Sequence, residues 1–240
     1  MKIPLTIGII GGMSPESTVT YYQRIVHRHQ QEFNNHDYPR IVIASVSFQK
    51  YVKWQHEEAW QRISEELNGE FQAVASAGAD FALLATNTMH KVLPQIQSPI
   101  PVFSILDAVS YFARLRGIKR IGLTGTRFTM RDGFYAKELE KRGLSVVLPE
   151  ETEQEVIHNI IYKELIFGRI IQASVSKFIE IAQQLLEGGA EAILLGCTEL
   201  ELLIRDNTVQ LNFIDSTKIH ADLAWEISIG KLSFSHLGMC

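Results

Sequence analysis

Gly78-Ala79-Asp80-Phe81-Ala82-Leu83-Leu84-Ala85-Thr86-Asn87-Thr88 returns later in the chain as Gly189-Ala190-Glu191-Ala192-Ile193-Leu194-Leu195-Gly196-Cys197-Thr198-Glu199. A second pair precedes these copies: Ile7-Gly8-Ile9-Ile10-Gly11-Gly12 matches Ile121-Gly122-Leu123-Thr124-Gly125-Thr126. The copies lie too far apart for a solenoid unit. They read as two similar α/β halves. In each, a glycine stops a helix, a short apolar run forms a buried parallel strand, and a polar turn follows the strand's carboxyl end. One such turn holds Cys197. The corresponding position in the first half is Thr86.

Working outward, residues 5–10 form the first strand, ending in Gly11-Gly12. Ser14 is a good N-cap, Pro15 suits the first helical position and Glu16 complements the positive helix end. The helix they open runs to residue 31. A strand over 40–47, a helix over 57–77 stopped by Gly78, and a strand over 81–85 complete the first half. Ser98-Pro99-Ile100-Pro101 is the expected boundary, because two close prolines disfavour regular structure. The second half repeats the plan, with strands over 120–123, 144–148 and 192–195. Its helices span 130–142, 154–167 and 175–187, the first stopped by Gly143 and the last by Gly188-Gly189. Phe213-Ile214-Asp215 ends one more strand. A helix over 217–229 returns to pack on the first half, and the last ten residues carry no pattern. The expected domains are 1–98 with 212–240, and 99–211. Strands alternating with helices imply parallel sheets, whose ligands bind beyond the strands' carboxyl ends.

The composition narrows the function. The chain has 240 residues, 46% hydrophobic and 21% charged, which is ordinary for a globular protein. Lys and Arg number 23 against 27 Asp and Glu, a formal charge of -4. That mild acidity argues against nucleic acid as a partner. No apolar run is long enough for a membrane span, and the N-terminus does not read as a signal peptide. Cys197 and Cys240 are the two cysteines, so no disulfide framework is expected and a reducing cytoplasm is the natural compartment.

Chemistry concentrates at the strand ends. Cys197 precedes Thr198-Glu199-Leu200, which opens a helix, and a helix N-terminus lowers a thiol's pKa. A thiolate acts as a general base or a nucleophile, although a lone buried cysteine also serves as inert filling. Thr86-Asn87-Thr88 offers hydroxyls, an amide and backbone N–H groups able to hold a carboxylate, or simply to cap and turn the chain. Met13-Ser14 and Thr126-Arg127 add donors at the other two ends. Gly8, Gly11 and Gly12 do not match the dinucleotide spacing, and no Walker sequence is present. His27, His29 and His36 fall on and after a surface helix and read as solvated side chains, with a metal site as the weaker alternative. His90 is expected behind the site or capping a turn, His220 in a structural role, and Cys240 as an exposed, dispensable thiol.

Four motifs together resemble one family. Gly11-Gly12-Met13-Ser14-Pro15-Glu16-Ser17-Thr18, Thr86-Asn87-Thr88-Met89-His90, Gly125-Thr126-Arg127-Phe128-Thr129-Met130 and Gly196-Cys197-Thr198-Glu199 are similar to those of the aspartate/glutamate racemases, in order and across almost the whole chain. The resemblance implies two α/β domains with parallel sheets related by pseudo-twofold symmetry, with the active site in the cleft between them. It implies no cofactor and no metal, an acidic amino acid as the small-molecule partner, and a homodimer. The common family pattern has a cysteine on each side of the substrate Cα. This chain resembles a subgroup with Thr86 in place of the first. Cys197 and Thr86 are then the implied catalytic pair. Met13, Ser14, Gln55, Asn87, Thr88, Thr126 and Thr198 are the implied substrate contacts. Arg127 and Lys163, chosen by position and charge, are the candidate partners for an acidic side chain, or else lie on solvated helix faces. Glutamate racemases proper tend to place His where Glu199 stands, which points to an aspartate or broad-specificity branch.

A threonine hydroxyl is a far weaker acid than a thiol, so Thr86 is a poor general base. Abstraction by Cys197 is therefore expected to be the faster direction. Two other readings compete: a single-cysteine decarboxylase or isomerase of the same superfamily, and an inactive binder of acidic amino acids.

Overall fold

The computed structural model describes residues 3–204 and 211–237. Cys240 lies outside them. The chain divides into two units, Met1–Ala108 with Thr217–Cys240, and Val109–Ser216.

The first unit contains β1 (Ile7–Gly11), α1 (Pro15–Phe33), β2 (Ile41–Ser45), α2 (Phe48–His56), α3 (Trp60–Ser76), β3 (Phe81–Leu84), a 3-10 helix (Thr88–Gln95) and β4 (Val102–Phe103). Its sheet has the order β2-β1-β3-β4, with every pair parallel. The chain passes to the second unit within α4 (Ile105–Leu115). There follow β5 (Arg120–Gly125), α5 (Arg127–Met130), α6 (Phe134–Lys141), β6 (Ser145–Val147), α7 (Glu151–Lys163), a 3-10 helix (Leu165–Phe167), α8 (Gln172–Glu187) and β7 (Ala192–Gly196). A 3-10 turn (Thr198–Leu200), α9 (Glu201–Ile204) and β8 (Phe213–Asp215) end it, and α10 (Ser216–Ser228) leads back to the first unit. The second sheet has the order β6-β5-β7-β8, again parallel throughout. The fold is α/β, with the same strand plan used twice.

The repeated stretch does the same mechanical work in both units. Gly78, at φ +90°, follows the end of α3, and Gly189, at φ +92°, follows α8. Only glycine takes this conformation without strain. In each case two reverse bonds close the helix: Gly78 N–H to Ala75 O and Ala79 N–H to Val74 O, matched by Gly189 to Leu186 and Ala190 to Leu185. The acid of the repeat then reaches the neighbouring strand. Asp80 accepts from Thr6 N–H just before β1, and Glu191 accepts from Lys119 and Arg120 N–H at the start of β5.

Each unit has a buried apolar cluster. Ile10, Tyr51, Leu67, Phe71 and Leu84 pack in the first, and Ile157, Ile161, Phe178 and Leu195 in the second. Helix α10 is fastened to α1 by a fork in which Arg24 donates twice to Asp222, both at 2.7 Å, and by Tyr21 against His220. Among the described residues no helix is long and apolar enough to cross a membrane.

The structure corrects several expectations. Ser98-Pro99-Ile100-Pro101 is not a boundary, because Val102 and Phe103 after it pair with β3. The strand Phe213–Asp215 joins the second sheet beside β7, not the first domain. The expected helix over 130–142 is two helices, broken at Gly133 with φ +69°. Helices α2 and α4 and strand β4 were not anticipated. His29 is buried and accepts the Trp225 indole N–H at 3.2 Å, so it is not a solvated side chain.

Candidate active site

In the first unit the polar turns after β1 and β3 lie on adjacent strands, since β1 pairs with both β2 and β3. Gly12, at φ +88°, lets the chain pass Val46: a Cβ there would lie 2.3 Å from Val46 O. The next peptide, Met13-Ser14, is cis. Ser14 caps α1, its hydroxyl accepting from Ser17 N–H at 3.4 Å. Thr18 braces the same turn, accepting from Gly12 N–H at 2.8 Å and donating to Ser14 O at 3.1 Å.

Thr86, Asn87 and Thr88 follow β3 and are buried, as are Met13, Ser14 and Gln55. Gln55 on α2 directs its amide to Met89 Sδ at 3.8 Å, which places it beside this turn. Met13 and Met89 share one apolar cluster with Tyr51. The unit therefore gathers its predicted residues at the carboxyl end of one sheet. Asn87 occupies the cap position of the 3-10 helix and Thr88 is its first residue, so the turn is not capped by Thr88. His90 sits behind: its Nδ1 meets Thr86 O at 2.8 Å and its Nε2 accepts from Ile105 N–H at 3.0 Å.

In the second unit β5 and β7 are neighbours, and their ends carry Thr126-Arg127 and Cys197-Thr198-Glu199. Gly196 is required between them, because a Cβ there would lie 2.7 Å from Thr124 O. Cys197 is half-buried and caps the 3-10 turn. Its thiol donates to Glu199 Oε2 at 2.9 Å, and the Thr198 hydroxyl donates to the same oxygen at 2.7 Å. Desolvation pushes the thiol pKa well up, and the Glu199 charge and its hydrogen bond push the same way. Backbone N–H groups of Glu199 and Thr198 pull it down but are outweighed. The helix start is present, as the sequence implied, yet it does not make the sulfur acidic. The neighbouring carboxylate and the low local polarity decide the balance.

Helix α7 supplies two side chains that sequence reasoning missed. Tyr162 is pushed up to about 12, first by desolvation and then by the charges of Cys197 and Glu199, against the pull of Arg127. Its phenol therefore stays neutral and remains a donor. His158, one turn earlier, lies tilted against the Tyr162 ring with centroids 4.5 Å apart and accepts from Arg127 N–H at 3.4 Å. The i, i+4 spacing of His158 and Tyr162 was the available signal. Lys163 is exposed and lines a separate cavity with Asn159, Glu164, Ser174 and Lys177. The structure thus brings Thr126, Arg127, Cys197 and Thr198 together and leaves Lys163 outside that cluster. Among the described residues no group of three or more His, Cys, Asp or Glu could hold a metal ion.

This arrangement can move protons. A thiol, a carboxylate and a neutral phenol stand at one strand end, and a turn rich in donors stands at the other unit's corresponding end. The profile of the Asp/Glu/hydantoin racemases matches residues 10–224. A candidate Asp/Glu racemase from Yersinia pestis is 35% identical in sequence with a TM-score of 0.87, covering 94% of this chain and 99% of that one. An aspartate racemase homologue from Pyrococcus horikoshii OT3 is also 35% identical, with a TM-score of 0.82 over 93% and 99% of the two chains. The broad specificity amino-acid racemase RacX of Bacillus subtilis (strain 168) is 25% identical over 225 residues, 88% of this chain and 92% of its own length. The chain belongs to the Asp/Glu/hydantoin racemase family, and its activity class is that of an amino-acid racemase.

Proposed function

We propose that this protein racemises acidic amino acids, aspartate, glutamate or both, without a cofactor. Cys197 exchanges the proton at Cα, and Thr86 serves the opposite face. The observation that carries the reading is the Cys197 thiol, held at the end of β7 against a carboxylate at 2.9 Å. The likenesses to an aspartate racemase homologue and to a broad-specificity amino-acid racemase support the substrate class.

The Cα proton of an amino acid is weakly acidic, so the site must stabilise an enediolate-like carboxylate as it forms. In this reading Asn87, Thr88 and nearby backbone N–H groups hold that carboxylate, with Met13, Ser14, Gln55 and Thr126 around it. Thr198 is placed beside them in this reading, with its hydroxyl donating to Glu199 Oε2. Arg127 is the proposed partner of the side-chain carboxylate, since Lys163 is exposed on a cavity that Cys197 does not line. Arg127 is favoured by its charge acting on Tyr162, next to Cys197. Because Thr86 is a poor base, exchange started by Cys197 is the faster direction.

The test is proton exchange at Cα of each enantiomer of aspartate and glutamate in deuterated water. One enantiomer is expected to exchange much faster than the other, and Cys197→Ser is expected to abolish that exchange. Equal efficiency in both directions would remove the asymmetric role of Thr86. No exchange at all, or carbon dioxide released from malonates, would favour a binder or a decarboxylase.

A further inference from the structure

Cys197 faces a problem if it is to act as a base. Its thiol is desolvated and lies against an anion, so it rests protonated. A protonated sulfur can give a proton to a carbanion but cannot take one from Cα. The proton must first go elsewhere, over a short path that does not disturb the substrate. The atom on that path is Glu199 Oε2, 2.9 Å from the sulfur. The Thr198 hydroxyl donates to the same oxygen at 2.7 Å and holds it in place. Among the described residues, Arg127 and Tyr162, from the β5 turn and α7, stand near the pair, with His158 against Tyr162.

We infer that Glu199 is the proton relay of Cys197, taking the thiol proton when the sulfur acts as base and returning it when the sulfur acts as acid. The inference rests on the racemase reading above and deepens it. The steps balance. The Sγ–H bond breaks and an Oε2–H bond forms, which leaves a thiolate and a neutral carboxylic acid. The thiolate then takes the Cα proton, and the electron pair of the C–H bond passes into the substrate carboxylate. In the opposite sense the pair starts as a thiol beside a neutral Glu199 carboxylic acid, whose proton comes from solvent at this half-buried side chain. The thiol delivers its proton to the carbanion, and Glu199 passes its own proton to the sulfur, which restores the resting thiol and carboxylate. A carboxylic acid is a stronger acid than a thiol, so the thiolate form is a minority. The ammonium group of a bound amino acid favours it.

Glu199→Gln separates this role from a merely electrostatic one. The amide keeps the shape but can neither carry the charge nor accept the proton. In a Cys240→Ser background, pH-dependent alkylation by iodoacetamide reads Cys197 alone. Removing the anion is expected to move that profile to lower pH, making the thiol easier to ionise. Cα exchange is nevertheless expected to fall about 100-fold or more in kcat, with KM changed less than about threefold. Glu199→Asp, which keeps a proton acceptor, is expected to recover at least tenfold of the lost rate. If Glu199 only raised the thiol pKa, the Gln variant would exchange as fast as its parent or faster, and the relay is wrong. An unchanged alkylation profile, or no recovery in the Asp variant, overturns it equally. If the parent protein exchanges no Cα proton, the racemase reading itself falls and takes the relay with it; a parent that exchanges beside an unimpaired Gln variant removes the relay alone.

Discussion

His90 donates through Nδ1 to the carbonyl of Thr86 at 2.8 Å. The direction follows from its other nitrogen, which accepts the Ile105 N–H at 3.0 Å and so carries no proton. The ring is neutral, and it ties the turn after β3 to the first residue of α4. His90→Ala strands a buried carbonyl and a buried N–H. The expected cost is about 2–5 kcal/mol in denaturant unfolding. Racemisation is expected to lose more in kcat than in KM, because Thr86 is displaced while the other contacts remain. A loss below about 0.5 kcal/mol would show that the ring does not hold the turn.

His220 makes stability depend on pH. It is fully buried, its Nδ1 faces the Tyr21 hydroxyl at 2.7 Å and its Nε2 faces Phe103 O at 2.9 Å. Burial, with the neighbouring His90 second, pushes its pKa from 6.5 down to about 3. Between these values the unfolded chain binds the proton and the folded one does not. Stability is therefore lost as pH falls below 6.5 and continues to fall towards 3, by about 1.4 kcal/mol per unit at the steepest. Melting temperature measured from pH 7 to pH 4 is expected to show this slope. His220→Gln lowers the whole curve and flattens it, since an amide does not titrate. An equally steep curve in that variant would assign the slope to other groups.

Two glycines are expected to respond oppositely to alanine. Gly12→Ala puts a Cβ 2.3 Å from Val46 O and 2.6 Å from Val46 N, at a φ of +88°. The expected loss is about 2 kcal/mol or more. Gly69 lies inside α3, where a Cβ meets nothing within 4 Å. Gly69→Ala is expected to gain about 0.5–1 kcal/mol through helix propensity. Chemical denaturation of both variants checks the pair, and a neutral Gly12→Ala would mean the turn after β1 can shift.

Asp222 tests how α10 is attached. It receives two donors from Arg24 and lies 3.6 Å from Arg28 Nε. The carboxylate is partly exposed, so water and salt screen the pair. Asp222→Ala is expected to cost about 0.5–1.5 kcal/mol, less at high ionic strength. A cost that does not change with salt would mean packing, not charge, is the main loss.

Much of the fold is legible in the sequence. The strand ends and helix stops are local codes: Ser14 and Pro15 open α1, and Gly78 and Gly189 close α3 and α8 by the same two reverse bonds. The central strands β1, β3, β5 and β7 are apolar on both faces, which marks them in a single sequence. Strand β4 has two residues and β8 has three, too few for any periodicity to show. The prolines of Ser98–Pro101 therefore read as a boundary in sequence, and residues 213–215 carry no local mark of the sheet they join. Arg131-Asp132-Gly133 gives a weak local signal, so one helix was expected where α5 and α6 form.

The repeat alone determined that the chain is two α/β halves and that Thr86 and Cys197 hold matching strand ends, because caps and buried strands are written in adjacent residues. Tertiary structure alone decided what surrounds those ends. The Thr86 carbonyl is held by His90, whose other nitrogen is bound by Ile105. Cys197 meets Glu199, with Tyr162 and His158 brought in by α7. Such contacts depend on which helix face packs against which strand end, a choice made by the summed burial of whole elements and not by local spacing.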